Sequence, residues 1–161
     1  MSRLLSTDRS HLLLAQRVVL GLVMLPHGLQ KLLGWFGGFG LDGTLGYFSS
    51  ALHIPTPIGA LVIASEVFGS LALLVGFGTR LAALGSAAVM VGAVLTSHVQ
   101  HGLFMNWFGN QKGEGFEYHL IAVALAASLV VQGGGAWALD RLFSKGERAP
   151  QPGQPAAAWA P

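Results

Sequence analysis

The sequence predicts an all-α integral membrane protein, a four-helix bundle with both termini cytoplasmic. Three observations carry that expectation. Only 10% of the 161 residues are charged, against about 25% in an ordinary soluble domain. Hydrophobic residues reach 52% with a mean hydropathy of +0.58, too little polar surface to cover a water-soluble body of this size. The apolar residues also gather into four runs close to the roughly 20 residues that a helix needs to cross about 30 Å of hydrocarbon.

The first run spans about 11–33, the second 57–77, the third 81–99 and the fourth 117–132. Asp8 and Ser10 are candidate caps for the first, because a short side-chain oxygen can accept from the free N–H groups of a first turn. Pro26 lies inside that helix and removes one backbone hydrogen bond, which predicts a kink before His27. Pro55 and Pro57 suit the entry to the second helix. Gly76, Gly78, Thr79 and Arg80 form a tight connection that makes helices two and three antiparallel neighbours. Gly133, Gly134 and Gly135 stop the fourth helix. Residues 1–10 then form a cytoplasmic N-terminal segment, 11–143 the membrane domain with a turn or two at the interface over 137–143, and 144–161 a disordered Pro-, Gln- and Ala-rich tail.

An even number of crossings gathers Arg3, Arg9, Arg17, Arg80, Arg141, Lys145 and Arg148 on one side, leaving Lys31 and Lys112 on the other. Seven against two is a positive-inside bias, so both termini face the cytoplasm of a bacterial-type inner membrane and the loops at 34–56 and 100–116 face outward. Nine scattered Lys and Arg form no phosphate-tracking patch, so nucleic acid is excluded as a partner. The chain has no Cys, which removes disulfide exchange, thiolate metal sites and Cys-ligated clusters.

Glu66 stands about nine residues into the second helix, roughly 13 Å from its outer end. An ionised carboxylate at that depth costs several kcal/mol unless paired or hydrated, so it faces the bundle interior, as an ion-paired packing residue or as a proton acceptor or ligand contact. His27, Gln30 and Lys31 share one face of the first helix. Lys31 either pairs with Glu66 or snorkels to the headgroups, and snorkelling is the favoured expectation for it. His98 and His101 close the third helix, and Glu117 and His119 open the fourth. Titratable groups therefore converge on the outward side while the inward halves read as almost wholly apolar. The outward loops add Trp35, Phe36, Phe39, Tyr47, Phe48, Phe104, Trp107, Phe108 and Phe116, an interfacial belt or a roof over a flat apolar ligand.

The strings HGLQKLLGWFGGFGLDGT at 27–44, GSLALLVGFGTRLAAL at 69–84, HVQHGLF at 98–104 and GFEYHL at 115–120 resemble the DoxX family over about residues 12–143. The matching positions are His27, Gly28, Lys31, Gly34, Glu66, Gly69, Gly76, Arg80 and Glu117. The resemblance implies a four-helix inner-membrane protein, related to the DoxD subunit of thiosulfate:quinone oxidoreductase and more distantly to methylamine-utilisation membrane proteins. Some relatives associate with redox proteins; a sulfur-oxidising partner is not encoded in this chain.

The functional expectation is a membrane subunit of a redox module whose outward polar pocket exchanges protons or electrons with a quinone. His27, Lys31 and Glu66 are the candidate catalytic residues, and Gln30, Trp35, His98, Glu117 and His119 the candidate cofactor contacts. Lipid, a redox protein and a second copy of the chain are the expected partners. The alternatives are a noncatalytic anchor whose polar residues hold helices together, metal or haem held by His27, His98, His101 or His119 without a selecting motif, and a small-solute transporter, ranked lower for want of an internal repeat.

Overall fold

The computed structural model describes residues 10–144. The expectations for Asp8, for the N-terminal segment before Ser10 and for the tail after Ser144 lie outside the described residues. Every regular element among them is helical.

Helix α1 (His11–Leu33) is capped by Ser10, whose Oγ accepts from Leu13 N at 3.4 Å, and it runs continuously through Pro26 to a left-handed Gly34. After one tight turn, α2 (Gly40–Ser50) follows. Helix α3 (Thr56–Val75) begins behind Pro55 and contains a π-helical turn at Ser65–Gly69. Helix α4 (Thr79–His101) contains a second π-helical turn at Val94–His98 and ends in a single 3-10 turn. Helix α5 (Glu117–Gln132) and the one-turn α6 (Asp140–Phe143) complete the chain. Helices α1, α3 and α4 are long and apolar enough to cross a membrane, and α5 is a shorter apolar helix of 16 residues.

The sequence reading placed only a loop at 34–56, and α2 corrects it. Gly40, Gly43 and Gly46 give this segment weak intrinsic helix propensity. Tertiary packing overrides that: Thr44 and Phe48 are buried, and α2 lies against α1 and the start of α3. Phe48 therefore belongs to the interior rather than to the exposed belt, whereas Trp35, Phe36, Phe39, Tyr47, Phe104, Trp107 and Phe108 are exposed.

Helices α1, α3, α4 and α5 alternate in direction. Arg17 near the start of α1 reaches the end of α3, and Thr79 and Arg80 at the start of α4 meet the region after α5. The core is Leu13, Leu20, Met24, Leu73, Ala83, Met90, Ala122, Ala126 and Leu129. Small residues let the helices come close, as at Ala83, Ala122 and Ala126, and α4 packs most extensively against α5.

Along α1, Arg17, Gly21, Met24 and Gly28 are buried at spacings of four, three and four residues, the period that keeps one helix face on a neighbour. A Cβ on Gly28 would stand 2.9 Å from Val67 N and 3.0 Å from Glu66 C, and one on Gly21 would stand 3.0 Å from Ser70 O. These two glycines let α1 touch the backbone of α3 at its π-helical turn.

The end of the bundle remote from Glu66 is not apolar, which corrects the sequence reading. Arg17 is 1% exposed and donates from Nε to Gly134 O at 2.8 Å, from Nη1 to Leu73 O at 2.7 Å and Leu74 O at 2.6 Å, and from Nη2 to Ala136 O at 3.2 Å. Asp140, 2% exposed, accepts from Gly78 N at 2.6 Å and Thr79 N at 2.9 Å. It thus caps the first turn of α4. Arg80 Nη1 donates to Val130 O at 2.5 Å and Val131 O at 2.6 Å. Carbonyls left over at the ends of α3 and α5 are satisfied by guanidinium groups where water is scarce.

One substitution should have opposite effects at two glycines. Gly28→Ala must push α1 off the α3 backbone and should lose about 1–3 kcal/mol. Gly92→Ala in α4 enters open space and should be neutral or stabilising by up to about 1 kcal/mol. Thermal or denaturant unfolding of the two variants in the same detergent checks the difference in sign.

Candidate functional site

Lys31 and Glu66 meet. Lys31 Nζ lies 2.8 Å from one carboxylate oxygen of Glu66 and 3.0 Å from the other. Glu66 is 3% exposed and Lys31 27%. The side chain of Lys31 runs back along α1, with Nζ also 3.4 Å from the carbonyl of His27. Helical side chains tilt toward the N-terminus, so a lysine near the C-terminal end of α1 reaches back along the helix to the Glu66 carboxylate. Pairing, not snorkelling, is the arrangement found. Removing either charge would leave the other without its partner in a poorly hydrated place.

Glu66 sits inside the π-helical turn Ser65–Gly69, where Ser70 Oγ donates back to the Glu66 carbonyl. On α4, His98 lies in the other π-helical turn. Such turns displace one residue from the regular ladder and re-aim the side chains beside it. Both are therefore local devices that present a polar side chain to the bundle.

His119 joins the two. Its ring centroid is 4.2 Å from that of His98, and it is within electrostatic reach of His27. His27 in turn faces Lys31, Glu66 and the side chain of Gln30. His98 Nδ1 is 2.9 Å from the Glu114 carbonyl. A carbonyl only accepts, so Nδ1 carries the proton of that bond and the neutral ring keeps Nε2 as its acceptor. His119 is 6% exposed, and its Nδ1 has no hydrogen-bond partner among the described residues. Buried ring nitrogens are rarely left so. Tyr118 completes the surroundings, its hydroxyl 4.0 Å from Met24 Sδ and its ring in electrostatic reach of Glu66.

The remaining residues singled out by sequence are placed differently. Glu117 Oε1 accepts from Met105 N and Trp107 Nε1, each at 3.2 Å, and Glu114 Oε2 accepts from Asn106 N at 2.7 Å. Two acids thus fold the loop at 102–116 over the start of α5. Trp35 is exposed, with Phe36 as its ring neighbour at 6.3 Å, and Gln30 Nε2 donates to Phe36 O at 3.4 Å. His101 lies against Gln100 and Gly113. Among the described residues, no group of three or more His, Asp or Glu is arranged to hold a metal ion. Arg17 and Asp140 are the buried charges that sequence reasoning passed over as functional; the signal was a lone Arg one and a half turns into an apolar helix.

The Lys31–Glu66 contact is open to a double-mutant cycle. Lys31→Met and Glu66→Gln should each destabilise the protein in detergent, and the double variant should lose less than the sum, with a coupling of about 1–3 kcal/mol. Additive losses would show that the two side chains do not interact.

The comparisons with known proteins come from sequence, since no solved structure matches this chain. A Bacillus subtilis (strain 168) protein named "Putative oxidoreductase CatD" is 27% identical over 132 residues, which cover 82% of this chain and 87% of that protein. The DoxX family model matches residues 12–99, a span that holds α1 through most of α4 together with Lys31, Glu66 and the buried glycines between them. On that match, the chain belongs to the DoxX family.

Proposed function

We propose that the protein is the membrane subunit of a redox module and that its polar end takes a quinone headgroup. The single observation that carries this reading is the convergence of the Lys31–Glu66 pair with His27, His119 and His98 at one end of an otherwise apolar bundle. The oxidoreductase name of the similar Bacillus subtilis protein supports it. In the same reading α5 is the fourth crossing, the termini are cytoplasmic and the polar end faces outward across an inner membrane.

The residues fit such a headgroup on one point of geometry: His119 Nδ1 is buried without a partner among the described residues, and a ligand oxygen would satisfy it. A bound quinone would supply a two-electron, two-proton couple. Lys31 holds positive charge beside the site, where it offsets negative charge that develops there. Glu66 keeps that cation in place through both carboxylate oxygens. His119 and His27 are the groups that hold or release protons, and His98, tied to Glu114 in the outer loop, connects them to the water-facing side. Electrons come from a redox partner protein.

A noncatalytic anchor is the second reading, favoured by the fact that Lys31 and Glu66 already satisfy one another. The two separate on His119→Gln, measured as quinone-dependent turnover of membranes containing the co-purified partner. A redox site predicts a loss of about 100-fold or more in kcat with partner retention unchanged, within the range for a general acid–base group. Unchanged turnover with reduced partner retention would reject the redox reading in favour of anchoring.

A further inference from the structure

The seam between α1 and α5 is closed unevenly. On α1, Val19, Val23 and His27 follow one another at four-residue spacing, and on α5 Tyr118, Ile121 and Leu125 follow at spacings of three and four, so each set forms one row on its helix. Between the helices lies an apolar cleft of about 110 Å³, lined on α1 by Val19, Leu20 and Val23 and on α5 by Tyr118, Ile121 and Leu125. Helix α5 packs mainly on α4, which leaves this side the looser one. The end of the seam remote from Glu66 is fastened by Ser128 Oγ, which donates to Gln16 Oε1 at 2.7 Å. Nearer Glu66 the tie is the Tyr118 hydroxyl against Met24 Sδ at 4.0 Å, and a thioether is a weak acceptor.

The cleft leads to the polar end. His27 stands one turn beyond Val23 and is exposed, and it faces Lys31 and Glu66. Tyr118 precedes His119, with their rings 5.6 Å apart and edge to face, and lies in electrostatic reach of Glu66. Val19, Val23 and Ile121 are exposed, so the cleft opens sideways, onto the flank of the bundle rather than at its tip.

We infer that the α1–α5 cleft holds the apolar tail of the ligand whose headgroup lies at His119 and His27. This rests on the quinone reading and adds two things to it: the class of quinone, one with a prenyl or alkyl tail, and its route, from the lipid phase through the α1–α5 seam. The occupant is fixed by continuity, since one seam carries an apolar wall at Val19, Val23 and Ile121 and titratable groups one turn further on. A tail in the cleft exchanges contacts with lipid for contacts with Leu20, Leu125 and the Tyr118 ring, and gains by dispersion where the shapes match. The first carbons of the tail lie in the cleft and the remainder in lipid.

The test is the Kd of the purified full-length chain in mild detergent for tail-less dimethoxymethylbenzoquinone and for its decyl homologue, read by quenching of tryptophan fluorescence, for the wild type, Val23→Phe and Leu84→Phe. Val23 borders the cleft and is exposed, so phenylalanine there fills the cleft without entering the core. Leu84 on α4 is exposed and lies outside the cleft, so its variant controls for added surface bulk and for partition of the decyl chain into micelles. The wild type and Leu84→Phe should bind the decyl homologue more tightly than the tail-less quinone by on the order of 10-fold. Val23→Phe should lose most of that preference and keep its Kd for the tail-less quinone. The inference is overturned if the wild type binds both quinones equally, if Val23→Phe keeps the preference, or if Val23→Phe weakens both quinones alike; in each case the headgroup site stands without a tail in the cleft. A wild type that binds neither quinone removes the quinone reading and this inference with it.

Discussion

The seam between α1 and α3 is the contact on which the rest of the molecule depends. Arg17 and Lys31 stand 14 residues apart on α1, about 21 Å along the helix, and each grips α3: one at the carbonyls of Leu73 and Leu74, the other at the carboxylate of Glu66. Between them, Gly21 and Gly28 bring the two backbones together. Charge buried away from water is tolerable only when paired or hydrogen-bonded. Small residues allow the distances at which those bonds form. The same seam therefore aligns the helices and decides which side chains share the polar end.

The two ends of the bundle use charge for different purposes. At the end remote from Glu66, Arg17, Arg80 and Asp140 are consumed in closing helix termini, each engaged with backbone groups. At the other end the charged and aromatic side chains face one another. Glu66 answers Lys31, the His98 ring lies tilted against that of His119, and one ring nitrogen of His119 keeps no partner among the described residues. Both π-helical turns, at Ser65–Gly69 and Val94–His98, fall where these side chains are presented. Thr79 Oγ1 at the other end is likewise buried without a partner among the described residues, so what distinguishes the Glu66 end is the mutual approach of its titratable side chains.

Much of this was legible in the sequence because the membrane imposes simple lengths and a strict need to satisfy polar groups. The long helices, the Ser10 cap, the Gly-rich stops and the inward-facing Glu66 all follow from local chemistry. The partner of Lys31 was not legible, since headgroups and a carboxylate two helices away are equally within a lysine's reach until packing chooses. Arg17 reads as one more positive-inside charge until Leu73, Leu74 and the loop at 133–136 are brought around it. Helix α2 is hidden by its glycines, because its stability comes from burying Thr44 and Phe48 rather than from propensity. Glu117 carries the right chemistry for a ligand contact and is instead committed to Met105 and Trp107.

The central claim is that the groups around Glu66 receive a small molecule rather than merely hold helices together. Native mass spectrometry of the protein extracted in mild detergent, wild type against Glu66→Gln, tests it most directly by identifying bound small molecules and protein partners in one spectrum. A quinone retained by the wild type and lost from the variant is the predicted result. A stable protein partner with no quinone, unchanged in the variant, would contradict the claim and leave the Lys31–Glu66 pair as a structural fastening.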